Sequence, residues 1–260
     1  MEMEIIEKVF TFENEGREIN GVIALPKEEG KYPLVVMNHG FAGSKEEGIG
    51  FVSISKALAE KGIAAVRFDF SGCGASIVPF SEFSLTHNMS DSNAVLNYIL
   101  ETENIDKDRL GILGYSMGGR LAIMITNADN NPYKAMTLIA PGAQETMNFT
   151  EILGGKVKGD KVVVEFFGQK LELGKEFLDD VLSSNEIMKR ATKKIDSIVF
   201  SGTKDQLVSP ETCKIISSKI KSKLFVLEGA DHGYGFFDNP NMNYVNKIVN
   251  ETVKFFCEKL

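Results

Sequence analysis

The strongest constraint on this chain is a rhythm: six short apolar runs, each closed by glycine or polar residues, separated by segments of helical period. The runs are PLVVMNHG (33–40), GIAAVRFDF (62–70), RLGILGY (109–115), KAMTLIAPG (134–142), DSIVFSG (196–202) and KLFVLEG (223–229). Each is apolar at nearly every position, the pattern of a strand covered on both faces. Between the runs, Phe51, Ile54, Ser55 and Leu58 share one helical face. So do Val95, Tyr98 and Ile99, and later Val245, Ile248, Val249 and Phe256. The alternation predicts an α/β fold, a mostly parallel sheet with helices on both faces. KVFTFENEGREINGVIALP (8–26) departs from it and reads as an antiparallel hairpin at the sheet edge. A chain of 260 residues, 43% of them hydrophobic, can bury such a core without disulfide or metal staples.

One longer stretch breaks the rhythm. From Pro141 to about Met188, GGKVKGDKVVVEFFGQKLELG and then KEFLDDVLSS suggest two or three short strands with a Gly-containing turn and a short helix. That exceeds an ordinary connection. The core is therefore assigned to residues 1–141 and 189–260, with 142–188 as a small cap inserted after the sixth strand.

Gly114-Tyr115-Ser116-Met117-Gly118 fits G-x-S-x-G, and its context fits as well. A buried strand (Leu110, Ile112, Leu113) runs directly into a helix (Arg120 to Thr126) with the serine at the junction. Such a turn strains the serine backbone and lifts its hydroxyl above the sheet. Glycines are needed on either side because a Cβ would collide with the neighbouring element. A serine becomes a nucleophile only when a base takes its proton and an acid orients that base. In this topology acid and histidine follow the serine in that order, each after a later strand. His39 and His87 precede Ser116, which leaves His232. Asp205, just past Ile198–Phe200, is the preferred acid. Asp231 is too close to His232 in sequence to fold back onto its ring, and Asp196 lies at the wrong end of the strand. Ser209-Pro210-Glu211 reads as a helix start capped by Ser209, which leaves Asp205 in the preceding loop. Two oxyanion donors are required. The backbone N–H of Met117 supplies one, and the N–H of Phe41, in NHGFAGSKEE, the other. His39 is expected to be a structural hydrogen-bonding residue.

HGFAGSKEE (39–47), RFDFSGCGAS (67–76), GYSMGG (114–119), GTKDQLVSP (202–210) and DHGY (231–234) together resemble the α/β-hydrolase superfamily over nearly the whole chain. Within it, H-G-F-x-G-x-K-E-E and a compact insertion after the sixth core strand are most similar to cinnamoyl and feruloyl esterases of anaerobic gut bacteria. The resemblance implies an α/β-hydrolase fold, a triad of Ser116, Asp205 and His232, oxyanion N–H groups on Phe41 and Met117, and a cap over the acyl pocket. Met117 and Cys73 depart from the polar residues expected in those relatives. Of the cap phenylalanines, Phe149, Phe166, Phe167 and Phe177, most are expected to pack the cap onto the core. At least one should reach substrate, and Phe166, Phe167 and Phe177 are the candidates.

The expected reaction is hydrolysis of a small-molecule carboxylic ester, with an aromatic acyl group, through an acyl-enzyme. A short-chain carboxylesterase, a thioesterase or a peptidase would use the same machinery, and a non-catalytic ligand-binding relative would keep only the fold. A net charge of -7 disfavours nucleic acid and anionic membrane partners. No apolar run approaches the ~18 residues of a bilayer span, and MEMEIIEKVF has no secretory pattern. Three scattered cysteines suit a reducing interior, so the cytoplasm is the expected compartment. A homodimer is compatible with the sequence. No cofactor or metal is expected. SGCGASI lacks the third glycine of a dinucleotide loop, GQKLELGKE lacks the spacing of a phosphate loop, and metal-ligand spacing is absent.

Overall fold

The structure, a computed structural model, describes residues 3–144, 155–158, 161–166 and 168–260. All six apolar runs contribute strands to one eight-stranded sheet. Its strands are β1 (Ile5–Asn14), β2 (Arg17–Pro26), β3 (Tyr32–Asn38), β4 (Ala64–Phe68), β5 (Ile105–Tyr115), β6 (Ala135–Ile139), β10 (Asp196–Gly202) and β11 (Lys223–Leu227), in the order β1-β2-β4-β3-β5-β6-β10-β11. The hairpin β1–β2 is antiparallel and joins β4 antiparallel, while β4 through β11 are mutually parallel. The β4 and β6 strands are buried along their whole length. Only β11 departs from the expectation of two covered faces. It closes the sheet with a strand on one side only, and Val226 on it is 58% exposed.

Helices α1 (Gly50–Ala59) and α6 (Met242–Lys259) pack together, whereas α2 (Leu85–Thr102), α3 (Met117–Asn127) and α4 (Lys175–Arg190) pack with one another. Helix α5 (Pro210–Lys219) lies against β10 and β11. As the sequence suggests, α5 starts with Pro210 behind Ser209, whose Oγ accepts the Thr212 N–H at 3.1 Å. Ser84 caps α2 in the same way. No helix among the described residues is long and apolar enough to cross a membrane.

The inserted segment forms a separate antiparallel sheet of β7 (Lys156–Lys158), β8 (Lys161–Phe166) and β9 (Gln169–Gly174), followed by α4. Helix α4 has 16 residues and continues beyond Met188, where a short helix was expected. It buries Phe177, Val181, Ser184, Asn185 and Met188. The polar pair is there for Arg120 of α3, which is 1% exposed. Its guanidinium donates to Ser184 Oγ (2.8 Å), Asn185 Oδ1 (2.8 Å) and the carbonyls of Gly142, Gln144 and Val181 (2.8, 3.1 and 3.1 Å). Burial lowers its pKa to about 10, which leaves it charged at neutral pH. Five donors meet five acceptors, so one cation ties the cap helix and the connection that follows β6 to the helix that follows Ser116.

Candidate active site

The turn from β5 into α3 carries Ser116 at φ +54° and ψ -116°, a conformation costly for a residue with a side chain. Close crossing of backbones holds it there. A Cβ on Gly114 would lie 2.2 Å from the Gly118 carbonyl oxygen, and one on Gly118 would lie 2.0 Å from that of Asn38 in β3. The Ser116 N–H donates to Ile139 O of β6 at 2.9 Å, and its carbonyl accepts the Gly142 N–H at 2.8 Å.

The structure brings the three sequence-selected side chains into one row. His232 Nε2 lies 2.9 Å from Ser116 Oγ, and His232 Nδ1 lies 2.8 Å from Asp205 Oδ2. The carboxylate accepts a hydrogen bond from Nδ1–H, which leaves Nε2 to accept from the serine hydroxyl. Asp205 is in turn fixed: its Oδ1 accepts the N–H groups of Leu207 (3.0 Å) and Val208 (2.8 Å). Each loop leaves the carboxyl end of its strand, β10 for Asp205 and β11 for His232, so the three meet above one end of the sheet.

Two tyrosines that the sequence reading passed over brace this row. Tyr115 donates its hydroxyl to the His232 carbonyl oxygen, and its ring stacks on the imidazole with centroids 5.4 Å apart. Tyr234 accepts the Gly202 N–H at 2.7 Å and donates to Asp205 Oδ2 at 3.5 Å. Burial pushes both phenols above their ordinary range, so they stay protonated donors. Both neighbour a selected residue in sequence, but only the folded contacts reveal what they brace.

On the other side of Ser116 lies the turn after β3. A Cβ on Gly40 would sit 3.3 Å from Ser116 Cβ, which places the Gly40–Phe41 peptide beside the serine. The Met117 N–H belongs to the first residue of α3 and has no partner within the helix. His39 does not join the row. Its Nδ1 bonds Gly40 O at 2.8 Å, and its Nε2 accepts the Phe70 N–H at 3.0 Å. Burial drives its pKa down to about 4, so it is a neutral strut. His87 is tied to Glu82 O instead.

The Phe41 ring is the hub of an aromatic cluster. Phe80, Phe83, Phe166 and Phe177 lie around it at centroid distances of 5.4, 5.6, 5.2 and 5.5 Å. Phe80 and Phe83 come from the 3₁₀ turn that follows β4, Phe166 from β8 and Phe177 from α4. Phe166 is half-buried and Phe177 is 0% exposed, wedged between Phe41 and Phe83. Phe177 therefore packs the cap onto the core, while Phe166 is the more exposed of the two. Phe149 and Phe167 lie outside the described residues. Among the described residues, no group of three or more His, Cys, Asp or Glu side chains could hold a metal ion. Cys73, Cys213 and Cys257 are free thiols.

A model of the alpha/beta hydrolase fold family matches residues 33–189, from β3 to the end of the cap helix. An abhydrolase domain-containing protein of Dictyostelium discoideum is 23% identical over 208 residues, 78% of this chain and 47% of that protein. The chain spans 26–47% of the length of the curated relatives it matches. Among solved structures, ferulic acid-bound Est1E from Butyrivibrio proteoclasticus superimposes with a TM-score of 0.76 at 21% identity, covering 95% of this chain and 99% of that one. The esterase domain of a Rhodothermus marinus protein gives 0.72 at 20% identity, covering 99% of both chains. At these identities the structural likeness is one of fold.

Proposed function

The chain belongs to the alpha/beta hydrolase fold family, and from that premise we propose that it is a serine esterase that hydrolyses carboxylic esters of aromatic acids through an acyl-enzyme. One observation carries the reading: the continuous Ser116–His232–Asp205 hydrogen-bonded row, built on a strained serine. In the reaction His232 Nε2 takes the Ser116 proton as Oγ attacks the ester carbonyl. The imidazolium that forms is stabilised by Asp205 and then gives its proton to the leaving alcohol. The N–H groups of Phe41 and Met117 stabilise the oxyanion. Water, deprotonated by the same imidazole, releases the acid. No metal or cofactor takes part in these steps.

The preference for an aromatic acyl group is supported by the ring cluster around Phe41, the residue whose N–H is assigned to the oxyanion. Phe166 is the cap residue assigned to the acyl group, because it touches Phe41 and keeps part of its surface open. That a structural neighbour holds ferulic acid supports the same class. The test is the rate on methyl ferulate, p-nitrophenyl butyrate and an acyl thioester, for the wild type and Ser116→Ala. The reading expects methyl ferulate to be the preferred substrate and the variant to lose about 10⁴-fold or more in kcat. Unchanged activity in Ser116→Ala would remove the nucleophile assignment, and a preference for butyrate or thioester would remove the aromatic one.

A further inference from the structure

Glu47 is a buried carboxyl that the mechanism above leaves unused, yet its surroundings are shaped for it. It is 2% exposed, and its Oε1 accepts the Gly40 N–H at 2.7 Å. Gly43 folds over it so closely that a Cβ there would lie 2.2 Å from the same oxygen. The turn is closed by Gly43 N–H to Gly40 O at 3.2 Å and Glu47 N–H to Ser44 O at 3.1 Å. Glu47 itself sits at φ +42°, in the left-handed region that side chains avoid. The basic side chain within 4.0 Å among the described residues is His39, which is neutral and bonded elsewhere. Burial pushes the Glu47 pKa up to about 8, and the Gly40 N–H pulls it back. Such a site is costly to maintain as a mere turn, because an asparagine or serine on the surface closes turns without desolvating a carboxyl.

What the carboxyl holds is the residue before Phe41. Gly40 lies against Ser116, and the Gly40 and Phe41 N–H groups belong to consecutive peptides. We propose that Glu47 is a positioning residue for the oxyanion donor: by accepting the Gly40 N–H inside the turn, it aims the Phe41 N–H at the oxygen that gains charge when Ser116 attacks. This rests on the serine-esterase reading. No proton or bond changes hands at Glu47, and its effect passes entirely through the peptide it holds.

The test separates transition-state stabilisation from general structure. Glu47→Ala and Glu47→Asp remove or shorten the acceptor, Glu47→Gln keeps a carbonyl oxygen in place, and Gly43→Ala pushes the carboxyl out from the other side. A misaimed donor is expected to lower kcat about 30- to 100-fold with KM within about twofold. It should weaken binding of an aryl trifluoromethyl ketone, which forms the tetrahedral oxyanion, by a similar factor. Binding of the product acid should stay unchanged. Glu47→Gln should stay within about fivefold of wild type on all readouts. Folded Glu47→Ala with wild-type kcat and ketone affinity would overturn the proposal. So would Glu47→Gln as impaired as Glu47→Ala, or a loss of product-acid affinity that tracks the loss of kcat. If the Ala and Asp variants do not fold, Gly43→Ala decides: the same kcat loss beside a near-normal Glu47→Gln supports the proposal, and an unchanged kcat overturns it. An active Ser116→Ala would instead overturn the esterase reading, whereas a dead Ser116→Ala beside fully active Glu47 variants would overturn this inference alone.

Discussion

The parallel sheet and the inserted cap are held by different means. Around Ser116 the core relies on backbone meeting backbone: β3, β5, α3 and β6 approach so closely that glycine alone fits at 114 and 118. The cap meets the core through side chains, with one guanidinium bonded to α4 and a cluster of phenylalanines from four segments. Backbone crossings tolerate no substitution but hold atoms to fractions of an ångström, which acyl transfer demands. Side-chain contacts tolerate repacking, so that seam can change its residues without losing the fold. The difference teaches what each region is built for: fixed backbone geometry around Ser116, and adaptable side-chain packing at the seam with the cap.

Substitutions on each side of that seam should separate the two. The largest effect is expected at Gly118→Ala, whose methyl group would lie 2.0 Å from Asn38 O. Stability should fall by about 3 kcal/mol or more, with activity lost, as read by urea unfolding and ester hydrolysis. Arg120→Met should cost about 2 kcal/mol, because the buried guanidinium's hydrogen bonds to Ser184, Asn185 and three carbonyls are lost. Limited proteolysis should then cut first in the cap, while Ser116 remains reactive; loss of both together would mean that cap and core are one unit. Phe166→Ala should lower kcat/KM on methyl ferulate about tenfold relative to p-nitrophenyl butyrate, a difference of about 1.4 kcal/mol. An equal loss on both substrates would place substrate choice elsewhere.

A separate effect is one of pH on the core. Burial holds His39 at a pKa of about 4, below its ordinary 6.5, so the unfolded chain binds its proton more tightly than the folded one. Its contribution is fully present above pH 6.5 and is lost as pH falls towards 4. Glu47, raised to about 8, works in the opposite sense, destabilising the fold as pH rises from 4.5. The two are separated by comparison with His39→Gln. That variant should lose stability less steeply between pH 6.5 and 4, by up to about 1.4 kcal/mol per pH unit. Parallel curves for the two proteins would contradict the assignment of His39 as a neutral strut.

Legibility in the sequence followed the same division. Strands β3 to β6 were readable because burial on both faces leaves continuous apolar runs, and the glycines at 114 and 118 announced the turn at Ser116. The order of acid and histidine after the serine then selected Asp205 and His232 from local context alone. Helix α4 was underestimated for a physical reason. Its buried stripe continues through Ser184 and Asn185, polar residues that are inside because Arg120 bonds them from more than 60 positions away. No periodicity reports such a contact. Likewise Tyr115 and Tyr234 brace His232 and Asp205 through pairings made only on folding. For Phe177 the sequence shows an aromatic residue of the cap, and only the fold shows that it is buried between Phe41 and Phe83.

The most direct measurement is mass-spectrometric mapping of a fluorophosphonate probe on the intact chain. Activation of the hydroxyl at 116 by the imidazole expects one adduct, on the peptide that carries Ser116, formed far more slowly in His232→Ala and absent in Ser116→Ala. An unlabelled wild-type protein, or an adduct on another residue, would show that the hydrogen-bonded row does not make a nucleophile.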